Sequence, residues 1–318
     1  MSHTFEQFVR FSTDSVGLER TLRLFQALAQ ILSSFSLPFS LLLYLLSITS
    51  TTSPPPSPAT IYTILSALRQ RLALARRFLR LFRFLESFDA AQKLYTSLST
   101  TSSGKEKGWA RKAQWLDVGA RSFNGMYLLL EAATIVDALQ IEGLALWTPG
   151  WERAVSTEAQ RFWLFALVCG VGAGTLRILD VLAHTPVPAS NEDVKEKEKE
   201  KEKAEVGMEE ETNEKGGQEG EGQQDEAHRE LKREQERLRT IVAKRKAERR
   251  RWIREVKTKV HKLGRGVVAN ALDITLPGSA IGWVPVDAGT VGLATLVTTV
   301  LTGMDVWERC GREVEGGK

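Results

Sequence analysis

Residues 66–88 leave the chain few ways to fold. At 100° per residue, Leu68, Leu72, Leu74, Ala75, Phe78, Leu79, Leu81, Phe82 and Leu85 occupy one half of a helical wheel. Arg69, Arg76, Arg77, Arg80 and Arg83 crowd the opposite flank; only Arg71 strays into the apolar arc, and Phe84 strays out of it. No acid occurs before Glu86, so the polar face is cationic rather than mixed. A helix built this way suits an anionic bilayer surface, with rings in the acyl boundary and guanidinium groups on headgroup phosphates. Helices on soluble cores usually alternate Glu and Lys outside, for solubility and i,i+4 pairing. Two other uses stay open: packing on the chain's own domain, or seating in a calmodulin-like groove. The candidate lipid contacts are Arg69, Leu72, Arg76, Arg77, Phe78, Leu79, Arg80, Phe82, Arg83 and Leu85.

The 318 residues are enough for one large or two small domains. The net charge of +4 hides a strong internal asymmetry. Two cysteines, Cys169 and Cys310, do not make a disulfide framework and suit reducing synthesis. Cys169 sits in an apolar run, where a small buried hydrophobe is expected. The histidines show no ligand spacing, so no metal site is expected. The opening Met-Ser-His-Thr-Phe-Glu lacks a basic n-region followed by an apolar one, so no secretory signal is expected.

Thr13-Asp14 reads as a helix start, followed by Leu18, Leu22, Leu24, Phe25, Leu28 and Ile31 at helical spacing. Residues 31–49 are apolar but carry Pro38; they suit either one bilayer span or two shorter helices. Loops are expected at 50–59 and 97–108. From 109 to 151 the pattern is helical, interrupted by Asp117, Arg121, Glu131, Asp137 and Glu142. The run 126–146 holds three of these acids, too many for a single lipid-exposed span. A helix pair partly sunk in the interface, with acids facing water or Arg, fits better. Residues 162–176 carry no charge, and glycines at 170, 172 and 174 permit close helix approach. Residues 191–224, a Lys-Glu repeat passing into Glu, Gly and Gln, read as disordered.

Bases heavily outnumber acids over 237–265. A nucleic-acid arm is one reading of such a run. Its approach to the apolar block 267–307 favours a juxtamembrane polybasic helix instead, so no nucleic-acid partner is expected. Pro277, Gly278, Gly282 and Pro285 exclude one straight helix in the first half of that block. The uncharged run 289–304 is the best transmembrane candidate, with Asp305, Trp307 and Arg309 as its boundary. The expected fold is all-α: a membrane-associated helical bundle with amphipathic interfacial helices, one or more transmembrane helices and a disordered charged loop. It divides into 1–183, a linker at 184–235, and 236–318.

No Walker loop, dinucleotide-binding glycine pattern, His-Glu-x-x-His or GxSxG elbow occurs. Neither catalysis nor a cofactor is expected, and Glu131, Asp137, Asp180 and Asp287 read as helix–helix pairing groups rather than proton carriers.

Four places give the chain a resemblance to the peroxin-eleven family of peroxisomal membrane proteins, in the form typical of filamentous fungi. They are 13–14 with 19–26, 75–86 with Ala90-Ala-Gln92, 127–147, and 291–307, in that order, with insertions at 33–60 and 184–235. The resemblance implies a non-enzymatic protein of the peroxisomal membrane that elongates the organelle and promotes its fission. On that basis 66–88 expands one leaflet and bends the bilayer, with many copies assembled together on anionic phospholipids. The implied partners are a dynamin-type GTPase of the fission machinery and the peroxisomal membrane-protein import receptor. The receptor would read 237–262, where Arg249, Arg250, Arg251, Trp252, Ile253 and Val256 combine charge with apolar contacts. Cytosolic termini, with 162–182 and 289–304 crossing, follow from the family; positive-inside reasoning instead keeps 237–265 cytosolic. A metabolite channel or carrier is the alternative function, though the chain lacks obvious paired repeats.

Overall fold

The N-terminal corner is set by a cap and a glycine. The Asp14 carboxylate accepts from the Gly17 amide at 3.1 Å, closing the first turn of the second helix. A Cβ on Gly17 would strike the Phe11 carbonyl oxygen, so the first two helices meet this closely only with glycine there. A second break follows from Pro38. A continuous helix would need its missing N–H to bond the Ser34 carbonyl, and its ring would collide there. The chain extends at Phe35 instead and bends by 98°.

A computed structural model describes residues 3–49, 57–100, 108–141, 143–185 and 222–316, with side chains from 238 onward in the last stretch. Eleven helices and no strand occur among the described residues. They are α1 His3–Thr13, α2 Ser15–Ser34, α3 Ser36–Thr49, α4 Pro58–Leu79, α5 Arg83–Thr100 and α6 Trp109–Ala133. α7 Ile135–Ala138, α8 Pro149–His184, α9 Gly222–Asp273, α10 Thr275–Ala280 and α11 Ala288–Gly316 complete them. As the Gly/Pro content predicts, the block 267–307 is broken, with Gly282 at φ 78° in the turn after α10. Most of the expected loop at 50–59, most of the Lys-Glu repeat at 191–224, and Glu142 lie outside the described residues. α5 runs on to Thr100, past the point where a loop was expected at 97, and α9 begins at Gly222, inside the linker expected at 184–235.

Two units are distinguished: Met1–Leu179 with Lys262–Lys318, and Asp180–His261. In the first, α2 is central and packs on α1, α3, α4 and α11. It runs antiparallel to α11: Gln30 Nε2 donates to the Ala288 carbonyl at 2.6 Å, Arg23 reaches Thr298, and Arg309 reaches Asp14 at 2.5 Å. α5 packs on α6, and α6 on α8 through the stacked rings of Tyr127 and Trp163, 5.2 Å between centroids. The glycines at 170 and 174 serve helix approach inside the chain: a Cβ on Gly174 would lie 2.5 Å from Val267 of α9. The second unit contains the end of α8, where Asp180 pairs with His184 at 3.0 Å, and the basic stretch of α9.

The burial pattern of this bundle is inside out. α2 buries Gly17, Glu19, Arg23, Ala27 and Ala29 while Leu18, Phe25 and Leu28 are exposed. α11 buries Gly289, Gly292, Ala294, Thr295, Thr298 and Thr299 while Leu293, Val297, Val300 and Met304 face outward. The buried threonines satisfy their hydroxyls on their own helix; Thr295 and Thr299 donate to carbonyls four residues back at 2.8 and 2.6 Å. Small and polar groups at the helix contacts with large apolar groups outside is the arrangement of helices packed in lipid.

At the α5–α6 contact, a Cβ on Gly125 would lie 2.7–2.9 Å from three ring atoms of Phe88. Gly125→Leu is therefore expected to cost about 1–3 kcal/mol by overpacking, read as an earlier thermal transition of the purified chain in detergent; an unchanged transition would remove this contact from the packing core.

Candidate membrane-binding site

The single helix expected over 66–88 is two. α4 ends at Leu79, and i→i+3 bonds from Arg80 N to Arg77 O, Leu81 N to Phe78 O and Arg83 N to Arg80 O carry the chain through a tight elbow into α5. Neither Gly nor Pro breaks it. The cause is tertiary. Arg76 donates from Nη2 and Nε to Glu19 Oε1 at 2.7 and 3.0 Å, and from Nη1 to Gln26 at 2.6 Å. Four residues on, Arg80 Nη2 donates to Glu131 Oε1 at 2.9 Å, with Arg77 Nε 3.6 Å from the same oxygen. The elbow lets α4 present guanidinium groups to both carboxylates while α5 packs on α6, and buried charges outweigh local helix propensity.

This corrects the expected roles of Arg76 and Arg80. Both are largely buried inside the bundle and hold carboxylates, not headgroup phosphates. Arg77, one-third exposed, shares Glu131. Tyr127 completes the cluster: its hydroxyl donates to Glu131 Oε1 at 3.1 Å and its ring lies 5.9 Å from the Arg80 guanidinium. Burial, opposed by Arg80 and reinforced by Glu131, pushes its phenol up to about 12, so it remains a donor at any physiological pH.

The apolar side of the elbow faces out. Phe82, at its apex, is 70% exposed, Leu85 58% and Phe78 47%. Leu72, Leu79, Arg69 and Arg83 are half-buried, and Arg71 is exposed. Of the proposed targeting residues, Arg249, Arg250, Arg251 and Ile253 are exposed on α9, and Trp252 and Val256 are half-buried.

Sequence reasoning missed Glu19, Arg23 and Asp273. Arg23 and Asp273, 4% and 7% exposed, pair at 2.5 Å, and Arg23 also donates to Thr298 Oγ1 at 3.2 Å. The available signal was the cluster Glu19, Arg20 and Arg23, with Glu19 and Arg23 at i,i+4 spacing, in the midst of apolar residues. Of the carboxylates read as helix–helix pairing groups, Glu131 has that role. Asp137 instead accepts from the amides of Leu146 and Trp147 at 2.8 and 3.0 Å, Asp180 pairs within α8, and Asp287 caps α11 through Thr290. Asp117 pairs with Arg177 across α6 and α8.

Among the described residues two helices, Pro149–His184 and Ala288–Gly316, are long and apolar enough to cross a membrane, and α2 with α3 passes the same test only as a bent pair. Among the described residues no group of three or more His, Cys, Asp or Glu is arranged to hold a metal ion. No curated protein and no solved structure matches the chain. The family model described as "Peroxisomal biogenesis factor 11 (PEX11)" matches residues 39–217 and 223–307. Three of the four stretches that carried the resemblance fall within it, and the stretch before Gln26 lies outside. The matched ranges also take in most of the two stretches read as insertions. An all-α bundle with two membrane-length helices and a match over most of its length establish that this chain belongs to the peroxisomal biogenesis factor 11 family, proteins of the peroxisomal membrane that act in its proliferation.

Proposed function

We propose that the chain elongates the peroxisomal membrane by seating the α4–α5 elbow in one leaflet, and that this wedge promotes proliferation and fission without catalysis. One observation carries the proposal: the amphipathic segment turns Arg76, Arg77 and Arg80 toward Glu19 and Glu131 and its rings, Phe78 and Phe82, toward the outside. Exposed rings gain nothing from water and insert readily among acyl chains. Arg69, Arg71 and Arg83 remain for anionic phospholipid headgroups. One wedge bends only its neighbourhood, so many copies act together, and the bent membrane recruits a dynamin-type GTPase.

A synthetic 66–88 peptide, in which all six arginines are released, is expected to gain helicity on anionic vesicles and to lose affinity steeply as salt rises, each Arg contributing roughly 1 kcal/mol. Equal binding to neutral and anionic vesicles would overturn the headgroup part of the proposal. Residues 237–262 serve in the same proposal as the segment read by the import receptor for peroxisomal membrane proteins. Deleting them from a tagged chain is expected to abolish delivery to peroxisomes, scored by microscopy; efficient delivery without them, in a chain that also lacks 66–88, would remove that role.

A further inference from the structure

Between Arg23 and Arg69 the chain carries no Asp, Glu, Lys, Arg or His. The described part of this run forms the C-terminal half of α2, all of α3 and the start of α4. α3 carries no charge and has two apolar faces, separated on one side by a stripe of Ser36, Ser40, Tyr44 and Ser47. Its inner face, with Phe39, Leu42 and Leu43, packs on Ala29, Ile61 and Leu65. Its outer face exposes Leu37 at 70%, Tyr44 at 64%, Ile48 at 63% and Leu41 at 55%. A helix with a second apolar face of this size calls for a nonaqueous environment on that face too, and the hydroxyl stripe beside it suits the headgroup boundary.

The neighbours of α3 identify that environment. The Phe35 ring, at the bend, lies against Gly289 in the first turn of α11, where a Cβ would come within 2.7 Å of it. α3 thus leaves the bundle at the start of a helix long and apolar enough to cross the membrane. Because α2 runs antiparallel to α11 and α3 turns 98° from α2, α3 lies roughly across the direction of α11. When α11 crosses a bilayer, α3 therefore lies along the bilayer plane. Its 14 residues reach about 21 Å, short of the roughly 30 Å needed to span.

We propose that α3 is a second, in-plane membrane contact whose outer face lies among the acyl chains at the level of Ala288. The assignment rests on α11 crossing the membrane and is independent of the wedge at Phe82. The test uses the full chain on a Cys169→Ala, Cys310→Ala background, with one cysteine introduced as Leu41→Cys, Phe82→Cys or Arg250→Cys and labelled with an environment-sensitive dye. Each protein is reconstituted in vesicles of phosphatidylcholine and phosphatidylserine, with or without lipid spin-labelled on its acyl chain. At position 41 a blue-shifted emission, lost when the spin-labelled lipid is present, is expected, with neither effect at position 250. Water-like emission at 41 would overturn the assignment. So would blue-shifted emission that the spin label does not reach and that rises with protein density, which would give the face to a second copy. Quenching at 41 without quenching at 82 would remove the elbow wedge and leave this contact standing; the reverse would remove this contact alone.

Discussion

Replacing Arg23 with methionine is expected to destabilise the folded chain by about 3–5 kcal/mol. Asp273 would lose its partner at 2.5 Å while staying almost wholly buried, and the Thr298 hydroxyl would lose a donor. Asp273→Leu alone leaves the opposite charge stranded and is expected to cost about the same. The double variant separates the pair's own contribution from the penalty of an orphaned charge. With both charges replaced by apolar groups of similar size, most of the loss is expected to return, since such exchanges are often neutral or stabilising. Denaturant unfolding in detergent, followed by helical circular dichroism, measures all four proteins. A double variant as unstable as the sum of the singles would show that the pair is not the coupled unit the geometry indicates.

The second large effect belongs to the elbow. Phe78→Ser with Phe82→Ser removes two rings whose outer surfaces already stand free of the bundle. Counting only that exposed portion, the insertion energy lost is about 2–4 kcal/mol, or roughly a 30- to 800-fold weaker partition into the bilayer. Vesicles carrying the variant are expected to stay round where the parent draws tubules, while far-ultraviolet dichroism and thermal transition stay unchanged because neither ring is core. Tubulation at the parent level with the fold intact would refute the wedge. Loss of tubulation together with loss of fold would point to a structural role for the rings and also count against it.

Much of this architecture was legible one element at a time. Asp14 announced its cap, the Gly/Pro content of 267–307 announced its breaks, and the charge-free runs around 162–176 and 289–304 marked the two helices of membrane length. The amphipathic stripe of 66–88 was legible too, but not which side of it faced in. A wheel separates Arg from Leu; it does not know that Glu19 and Glu131 wait 57 and 51 residues away. Those partners reverse the expected orientation of Arg76 and Arg80 and bend the helix at Arg80–Phe82. The same blindness applied to α2, where Leu18, Phe25 and Leu28 look like a core stripe and are the outside. In lipid the solvent prefers large apolar groups, so periodicity survives while its meaning inverts.

The register of α2 against α11 also sets a clock. Arg23 meets Thr298 from 275 residues away. At about 5–20 residues per second, translation takes roughly 14–55 s to reach that partner. Glu19 gains Arg76 only 57 residues on, but Arg23 waits beside leucines and phenylalanines for Asp273 and Thr298, 250 and 275 residues on. Slowing or stalling the ribosome between the two helices therefore lengthens the time that Arg23 is unpartnered and that this apolar stretch is open to aggregation.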